Sequence, residues 1–428
     1  MVGCCREKEY QFDPYEKMHT MRVLIATECR YMENTSGEVY AEGALGYAVA
    51  RRYTQVFEDV SVLARFTSNT CRLSDRMTVR ADGPGVSFVR LPDYRGSRQY
   101  LLKYLSIRSF VKKAVDSAQA VILRVPGQIG TIAWRELQRQ GRPFGVEVVG
   151  DPWDVFAKGS YPSRLRPILR RVVSRNLVAQ CQDAVAAAYV TSEALQRRYP
   201  PGGWSTHYSS VDLPTEAFVR DMALRDRFLE WTALSQSRDR PWRLVFVGGM
   251  SHLYKAPQVL LDAAAACKRA GLEFEIAMLG DGTYRLQLER QAVDLGLGGQ
   301  VHFLGRVPAG ASVRRQLRHA DLFVLPSFQE GLPRAMIEAM AQGLPCIGSD
   351  VGGIPELLPT EDMVRPADVF ALASKIRDVL SDPDRMVKMA HRNLEKAAEY
   401  QEDILQKRRI AFYQRVREAS DEWMKRKP

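Results

Sequence analysis

Two glutamates in the C-terminal half, Glu330 and Glu338, carry the clearest signal for chemistry in the sequence. They flank the start of a predicted helix that follows a buried strand pattern at 321–325. Pro333 suits the first turn of that helix, because its missing N–H would have no partner there. The first amides of a helix can bind an anion, and the helix dipole adds partial positive charge. The segment therefore predicts a site for a phosphate-bearing ligand.

Gly331 and Leu332 lie at the mouth of this helix, where backbone amides would hold a diphosphate. Gly331 has no Cβ, which lets a ligand approach the backbone closely. Because a carboxylate accepts several hydrogen bonds, acidic groups on both sides of the phosphates suit a nucleotide sugar, which has hydroxyl pairs at both ends. For either glutamate alone, the alternative is a helix-capping Glu330 and a solvated Glu338.

With these features, the chain resembles the family 4 retaining glycosyltransferases, whose fold is GT-B. Two glutamates separated by seven residues are the hallmark of that family, and the segments 343–345 and 349–356 continue its pattern. The match extends back through 245–248, 254–256, 279–282 and 303–305, which covers essentially the whole C-terminal domain. In the N-terminal half it rests on the domain layout and on 191–193 and 210–212.

The resemblance implies that Glu330 contacts hydroxyls of the donor sugar, that Glu338 binds the ribose of the nucleotide and that Lys255 neutralises the diphosphate. A preorganised cation lowers the barrier, because the departing nucleotide gains negative charge. For Lys255 alone, a solvated lysine at a helix start is the alternative.

One position departs from the family pattern. Where the family carries an arginine as a second diphosphate contact, this chain has Gly249. Either another cation, such as Arg334 or Arg306, replaces that arginine, or the loop backbone contacts the phosphates directly, which Gly249 would permit. We therefore include Gly249 and Arg334 in the predicted donor site.

Candidates in the first half rest on weaker signals. Gly37 and Gly43 follow the first predicted strand, and in the family such a glycine loop lies beside the donor phosphates; a flexible turn is the alternative. Asp151 and Arg124 each end a predicted strand and are candidates for acceptor contact, with Asp151 also a candidate base. A turn-forming aspartate is the alternative for Asp151. The first domain offers only His207, near its end, so a catalytic histidine is not assigned.

Short apolar, β-branched runs alternate with stretches of helical periodicity, a pattern typical of parallel sheets covered by helices. Strands are predicted at 21–27, 60–66, 86–91, 120–125, 144–149 and 187–191, and then at 243–247, 273–279, 301–304, 322–325 and 345–348. The fold class is therefore α/β, and the resemblance makes it GT-B, with two Rossmann-like domains facing across a cleft. Ligands are expected at the carboxyl ends of the strands.

The 428 residues predict two large domains. The segment 213–240 is poor in strand formers and rich in turn residues, which favours a linker. Before the linker, we predict an N-terminal extension at 1–20 and an acceptor-side domain at 21–212. After it, we predict a nucleotide-sugar-binding domain at 241–395 and a C-terminal helix at 396–428. Whether this helix crosses back to the first domain stays open.

Composition narrows the class of protein. The net charge of +11 attracts anionic partners, but basic residues interleave with acidic ones and no nucleic-acid-binding motif accompanies them, so no nucleic acid is expected. The seven scattered cysteines are expected to be reduced thiols. The histidines share no metal-ligand spacing, and no cofactor or metal is predicted, since the nucleotide sugar is a substrate.

Five arginines are spaced so that several share one side of a predicted helix, with apolar residues between them: Arg164, Arg166, Arg170, Arg171 and Arg175. This pattern is typical of an interfacial helix attracted to anionic lipid, and equally of a solvated face over a packed apolar stripe. The sequence thus predicts a cytoplasmic protein, for which peripheral contact with the inner face of the membrane stays open. The segment 382–384 spells a D-x-D motif, which we interpret as a helix start.

These features predict transfer of a sugar from a nucleotide sugar to a hydroxyl of a glycan, lipid-linked or small-molecule acceptor, in polysaccharide or glycoconjugate biosynthesis. Retention at the anomeric carbon comes from the resemblance alone. No side chain stands out as a covalent nucleophile, so front-side displacement is expected. Two alternatives remain: a nucleotide-sugar epimerase of the same fold, and a non-catalytic protein that binds anions or nucleic acid.

Overall fold

The computed structural model describes residues 20–41, 45–67, 79–156, 165–211, 213–237 and 239–426. In the first half the strands are β1 Arg22–Glu33, β2 Val39–Ala41, β3 Asp59–Thr67, β4 Val79–Arg80, β5 Val86–Pro92, β6 Ala120–Val125, β7 Gly145–Val148, β8 Ala186–Tyr189 and β9 Trp204–His207. The helices there are α1 Tyr47–Ala50, α2 Gly96–Ser117, α3 Gln128–Arg139, α4 Pro152–Val155, α5 Arg166–Asp183 and α6 Ala194–Arg198.

A helix, α7 Asp221–Ser237, separates this half from the second. The second half contains the strands β10 Trp242–Val247, β11 Phe274–Leu279, β12 Val301–Gly305, β13 Leu322–Leu325, β14 Cys346–Ser349 and β15 Met363–Val364. Its helices are α8 Pro257–Arg269, α9 Arg285–Asp294, α10 Ala311–Arg318, α11 Arg334–Ala341, α12 Val369–Leu380, α13 Pro383–Ala398 and α14 Glu402–Arg426.

The first sheet is built around β1. This strand pairs in parallel with β3 and with β6; β5 continues the sheet beyond β3, and β7, β8 and β9 continue it beyond β6. Val23 and Ile25 lie in one apolar cluster, whereas Leu24 and Ala26 lie in another. The strand is therefore buried on both faces, as expected for a parallel sheet covered by helices.

The second sheet has the strand order β12-β11-β10-β13-β14-β15 and is parallel throughout. The chain order reverses between β10 and β13, as it does between β1 and β6 in the first sheet. Such a reversal opens a crevice at the carboxyl ends of the two neighbouring strands, where ligands of α/β proteins bind. Two parallel sheets with helices confirm the predicted α/β fold class.

The segment predicted as a linker contains α7, which packs on the second half. Trp231 of α7 is fully buried and donates a hydrogen bond from Nε1 to Oδ1 of Asp321 at 3.0 Å. Helix α14 instead packs against β6, β7, β8 and β9 of the first sheet. A Cβ at Gly145 of β7 would lie 2.5 Å from Val416 Cγ2, so glycine is what permits this close approach. Within the described ranges, no helix has the length and apolar character needed to cross a bilayer.

Candidate functional site

The predicted donor residues of the second half lie in or next to the loops at the switch point of the second sheet. Strand β10 ends at Val247 and is followed by Gly248 and Gly249, while its neighbour β13 ends at Leu325 and leads into the loop 326–333. The two loops meet, since the Phe328 amide donates to the Tyr254 carbonyl at 2.7 Å. Buried apolar strands thus deliver two polar loops to one crevice.

Lys255 and Glu330 form an ion pair in this crevice. The Lys255 Nζ donates to Glu330 Oε1 at 2.7 Å, and the Ser327 hydroxyl donates to the same oxygen at 2.9 Å. Neither contact involves Oε2. Both charged side chains are largely buried. The lysine stem packs against Gly248, where a Cβ would lie only 2.5 Å from Lys255 Cδ.

The start of α11 lies one residue later than the sequence predicts. Pro333 occupies the N-cap position, one residue before the first turn, and offers no side-chain cap to the first amides of the helix. Gly331 and Leu332 precede it directly. The space around Gly249 is open, since a Cβ added there would meet no atom within 4 Å. Arg334 is exposed as the first residue of α11.

A glycine pair holds the loop in place. Gly352 has a φ of +56°, and a Cβ there would lie 1.8 Å from the Glu330 carbonyl oxygen. The Gly353 amide donates to the Gly331 carbonyl at 2.7 Å. A side chain at either position would push this turn away from the loop that carries Glu330.

Glu338 lies on α11 and is half-buried, as the fifth residue of a helix whose preceding loop holds Glu330. The structure therefore brings Glu330, Lys255, Gly331 and Leu332 to one crevice. Arg334, Gly249 and Glu338 belong to the same loops and helix.

The candidates of the first domain have structural contacts instead. Asp151 is buried as the N-cap of α4 and accepts hydrogen bonds from the Trp153 amide at 2.8 Å and the Tyr199 hydroxyl at 2.5 Å. It also pairs with Arg198. Both of its oxygens are thus engaged, which does not support a role as catalytic base and agrees with the turn-forming alternative.

Gly37 lies in an exposed hairpin turn between β1 and β2, where its φ of +80° suits glycine. The predicted phosphate-binding loop is therefore a turn within a two-stranded hairpin, which matches the alternative interpretation. Gly43 and Arg164 lie outside the described residues. Asp382 is the N-cap of α13 and accepts from the Arg385 amide, which confirms the interpretation of the D-x-D motif as a helix start.

A carboxylate contact between the domains was missed by the sequence analysis. Glu356 Oε2 accepts from the Ser192 amide at 2.6 Å and from its hydroxyl at 2.7 Å, and Oε1 accepts from the amides of Glu193 at 3.0 Å and Ala194 at 2.7 Å. The start of α6 is thus capped by the opposite domain. The polar segment 191–193 before a short helix was the available signal, but its partner lies far away in sequence.

Another carboxylate that the sequence analysis missed, Glu147, is buried in the first domain. Glu147 accepts hydrogen bonds from the hydroxyls of Tyr53 at 2.7 Å and Tyr208 at 2.6 Å and pairs with Arg124. Burial lowers the pKa of Arg124, but Glu147, together with Tyr53 and Cys29, outweighs burial and holds that pKa well above its usual value. Burial, reinforced by Glu147, raises the pKa of both tyrosines, so they act as hydrogen-bond donors at neutral pH.

Parts of the chain are similar in sequence to known glycosyltransferases. Residues 241–382 match the family described as Glycosyl transferases group 1. Protein CapJ of Staphylococcus aureus is 23% identical over 82% of this chain and 84% of its own length. A GDP-mannose-dependent alpha-(1-6)-phosphatidylinositol monomannoside mannosyltransferase of Mycolicibacterium smegmatis is 32% identical over 48% of this chain and 52% of its own length.

Solved structures share the fold over nearly the whole chain. Sucrose-phosphate synthase from Thermosynechococcus elongatus superimposes with a TM-score of 0.65 at 19% identity, covering 93% of this chain and 100% of that one. Anabaena HepE in complex with UDP and glucose gives a TM-score of 0.60 at 18% identity, covering 91% and 98%.

The fold is that of the two-domain GT-B class. The family match over the second domain identifies the protein as a glycosyltransferase. The match of residues 241–382 to the group 1 glycosyltransferases confirms the resemblance to family 4.

Proposed function

We propose that this glycosyltransferase moves a hexosyl group, with retention at the anomeric carbon, from a nucleotide sugar on the C-terminal domain to a hydroxyl acceptor on the N-terminal domain. The buried pair of Lys255 and Glu330 beside the start of α11 carries the proposal. The relatives support it: HepE was captured with UDP and glucose, and the mycobacterial relative is named as a mannosyltransferase acting on a phosphatidylinositol mannoside. We place the reaction in polysaccharide or glycoconjugate biosynthesis.

In the proposed site, cationic groups and backbone amides bind the diphosphate, and carboxylates bind hydroxyls. Lys255 has three N–H donors, of which one is engaged with Glu330, so the others can reach a diphosphate. Glu330 holds the lysine with Oε1 and keeps Oε2 for hydroxyls of the donor sugar. The amides at Gly331 and Leu332 add dipoles beside the phosphates. Glu338 binds the ribose. Arg334 and the uncrowded backbone at Gly249 contact the diphosphate in place of the arginine that the family carries.

Front-side displacement fits this distribution. The acceptor oxygen forms its bond to the anomeric carbon on the face from which the diphosphate departs. The acceptor proton passes to the leaving phosphate oxygen, while Lys255 and the amides stabilise the charge that grows there. The proposal requires no metal ion.

Nucleotide binding is the direct test. We expect Lys255→Ala and Glu338→Ala to weaken the affinity for nucleoside diphosphates about tenfold or more, because each removes a charge-assisted hydrogen bond. Isothermal titration calorimetry measures this change. Lys268→Ala is the matched control, since Lys268 lies on α8 and donates to the Gly296 carbonyl. Unchanged affinity in both test variants would reject the site.

Product analysis addresses the alternatives. An epimerase would release nucleotide from the donor alone, whereas a transferase needs an acceptor for efficient turnover. Binding of oligonucleotides at physiological salt, without binding of nucleoside diphosphates, would favour the nucleic-acid-binding alternative.

Two helices of the first domain favour contact with an anionic membrane at its inner face. On α2, Leu101, Leu102 and Leu105 are 70%, 87% and 76% exposed. The same helix carries five cationic residues: Arg98, Lys103, Arg108, Lys112 and Lys113. On α5, Ile168 and Val172 are exposed among arginines. Both helices pack beside α3 and so share one side of the sheet. Exposed apolar residues among cations are typical of helices that lie in a lipid interface.

Vesicle sedimentation tests this surface. We expect the double variant Leu102→Gln and Leu105→Gln to bind vesicles of anionic phospholipid about tenfold more weakly, because two apolar side chains no longer insert. Leu229→Gln on α7 is the control, since Leu229 is 71% exposed on the other half of the chain. Equal sedimentation of the double variant and the unmodified protein would contradict membrane contact through α2.

A further inference from the structure

A small cavity lies at the carboxyl ends of β6, β7, β8 and β9 in the first domain. Its volume is about 40 Å³, which is room for a small chemical group rather than a sugar ring. Its charged or hydroxyl-bearing lining includes Arg52, Arg124, Glu147, Tyr208, Arg409 and Tyr413. We call it the arginine pocket.

Arg409 is a buried cation of the arginine pocket, and its hydrogen bonds go to neutral groups. Glu147 is committed to Arg124 and to two tyrosine hydroxyls, so its charge is already compensated. Arg409 is 2% exposed, and it donates to neutral groups, the Ser209 carbonyl at 2.9 Å and the Gln406 side chain at 3.3 Å. Among the described residues, no carboxylate forms an ion pair with Arg409, and Glu147 acts on it only as a minor electrostatic influence. Arg52 lines the same cavity.

The pKa of Arg409 also indicates that its charge is poorly compensated. Burial, and next the positive charge of Arg52, lowers the pKa of Arg409. A buried cation without a counter-charge is destabilising, and an anion bound beside it would remove that cost. A guanidinium presents a fork of N–H donors that matches the oxygens of phosphate or carboxylate.

The pocket also faces the donor crevice. Val190 lines it, and a Cβ at Gly331 would lie 3.8 Å from Val190 Cγ2. Since Gly331 belongs to the loop that carries Glu330, a group held in the pocket lies across the cleft from the predicted donor sugar. This is the position of an acceptor rather than of the nucleotide.

We propose that the arginine pocket binds an oxyanion carried by the sugar acceptor, a phosphate or a carboxylate, and so selects acceptors that bear such a group. Acceptor selection presupposes glycosyl transfer, so the inference rests on the function proposed above. Arg409 and Arg52 would contact the oxyanion, while Glu147 and the two tyrosines hold Arg124 in position.

Direct binding of inorganic phosphate tests the pocket without any turnover. We expect phosphate to raise the melting temperature of the unmodified protein and of Lys255→Ala, and to lose most of this effect in Arg409→Met. Arg408→Met is the matched control, because Arg408 is the adjacent residue on α14 and contacts His207 instead. A phosphate effect that survives in Arg409→Met but disappears in Lys255→Ala would place the anion in the donor site and overturn the proposal.

Acceptor kinetics give the second readout. With a panel of neutral, phosphorylated and carboxylated sugars, we expect a KM about tenfold lower for at least one anionic class than for its neutral counterpart. Arg409→Met should remove that difference and leave the KM for the donor unchanged. Preference for phosphate over carboxylate, or the reverse, identifies the oxyanion; equal KM values for neutral and anionic sugars contradict the proposal.

Two further controls keep the outcomes distinct. If Arg409→Met does not fold, the half-buried Arg52→Met replaces it, with the same expected loss of the phosphate effect. Failure of nucleoside diphosphates to bind the unmodified protein would reject the proposed function. Nucleotide binding without a phosphate effect or an anionic preference would reject the arginine pocket alone.

Discussion

Glu330→Gln is expected to lower kcat by about a hundredfold or more, with little loss of affinity for nucleoside diphosphates. The glutamine keeps the shape of the side chain but removes the charge that orients Lys255 and that strengthens hydrogen bonds to the donor sugar. Lys255 keeps its positive charge in this variant, so its ammonium can still pair with a diphosphate and nucleotide affinity is retained. Steady-state kinetics and calorimetry on the same preparation separate the two effects.

Ser327→Ala provides a graded comparison for this result. The Ser327 hydroxyl donates to the same Oε1 as Lys255, so its loss removes one neutral donor and leaves the charge pair intact. A smaller fall in kcat, about tenfold or less, is expected. Should Glu330→Gln weaken nucleotide binding as strongly as it lowers kcat, Glu330 would be a general binding residue rather than one that acts during transfer.

The buried strands were the most predictable part of the fold. The predicted ranges for β6 and β13 match Ala120–Val125 and Leu322–Leu325, because a strand buried on both faces is an uninterrupted apolar run. Strand β1 was predicted to end at 27, yet it continues to Glu33 after an irregularity between Ala26 and Arg30. The polar residues at this irregularity hide the strand from pattern analysis.

Elements formed by pairing at a distance were missed. Strand β9 is only half-buried and polar, and it exists because Ala186 to Tyr189 pair with it. The turn at Gly37 became a hairpin because Glu33 pairs with Val39, a contact that local glycine content does not distinguish from a phosphate-binding loop.

The candidate site likewise has a part that could be predicted from the sequence and a part that could not. Glu330, Gly331 and Leu332 are neighbours in sequence, so their loop could be predicted from the strand and the helix around it. The contact of Lys255 with Glu330 spans 75 residues but follows from the order of two adjacent strands. The arginine pocket joins residues of α14 to strands of the first domain. No local pattern encodes that return of the chain.

Glu356→Gln is expected to destabilise the contact between the domains by about 3 kcal/mol or more, because the carboxylate accepts four hydrogen bonds from the start of α6. Glutamine has one acceptor oxygen, and its NH₂ group would face backbone N–H donors. We expect a lower melting temperature, and a larger radius of gyration in small-angle X-ray scattering as the domains separate. Glu361→Gln is the control, since Glu361 is exposed in the same region.

The consequence for transfer follows from where this carboxylate lies. A Cβ at Gly353 would lie 3.1 Å from Thr191 Cγ2 and 2.4 Å from the Gly331 carbonyl oxygen, so the turn before Glu356 touches both the first domain and the donor loop. Loss of the Glu356 contact should therefore raise the KM of the acceptor more than the Kd of the nucleotide, since the nucleotide is proposed to bind within one domain and the acceptor across the cleft. Identical melting, scattering and KM values in Glu356→Gln and the unmodified protein would show that the domains are held together elsewhere.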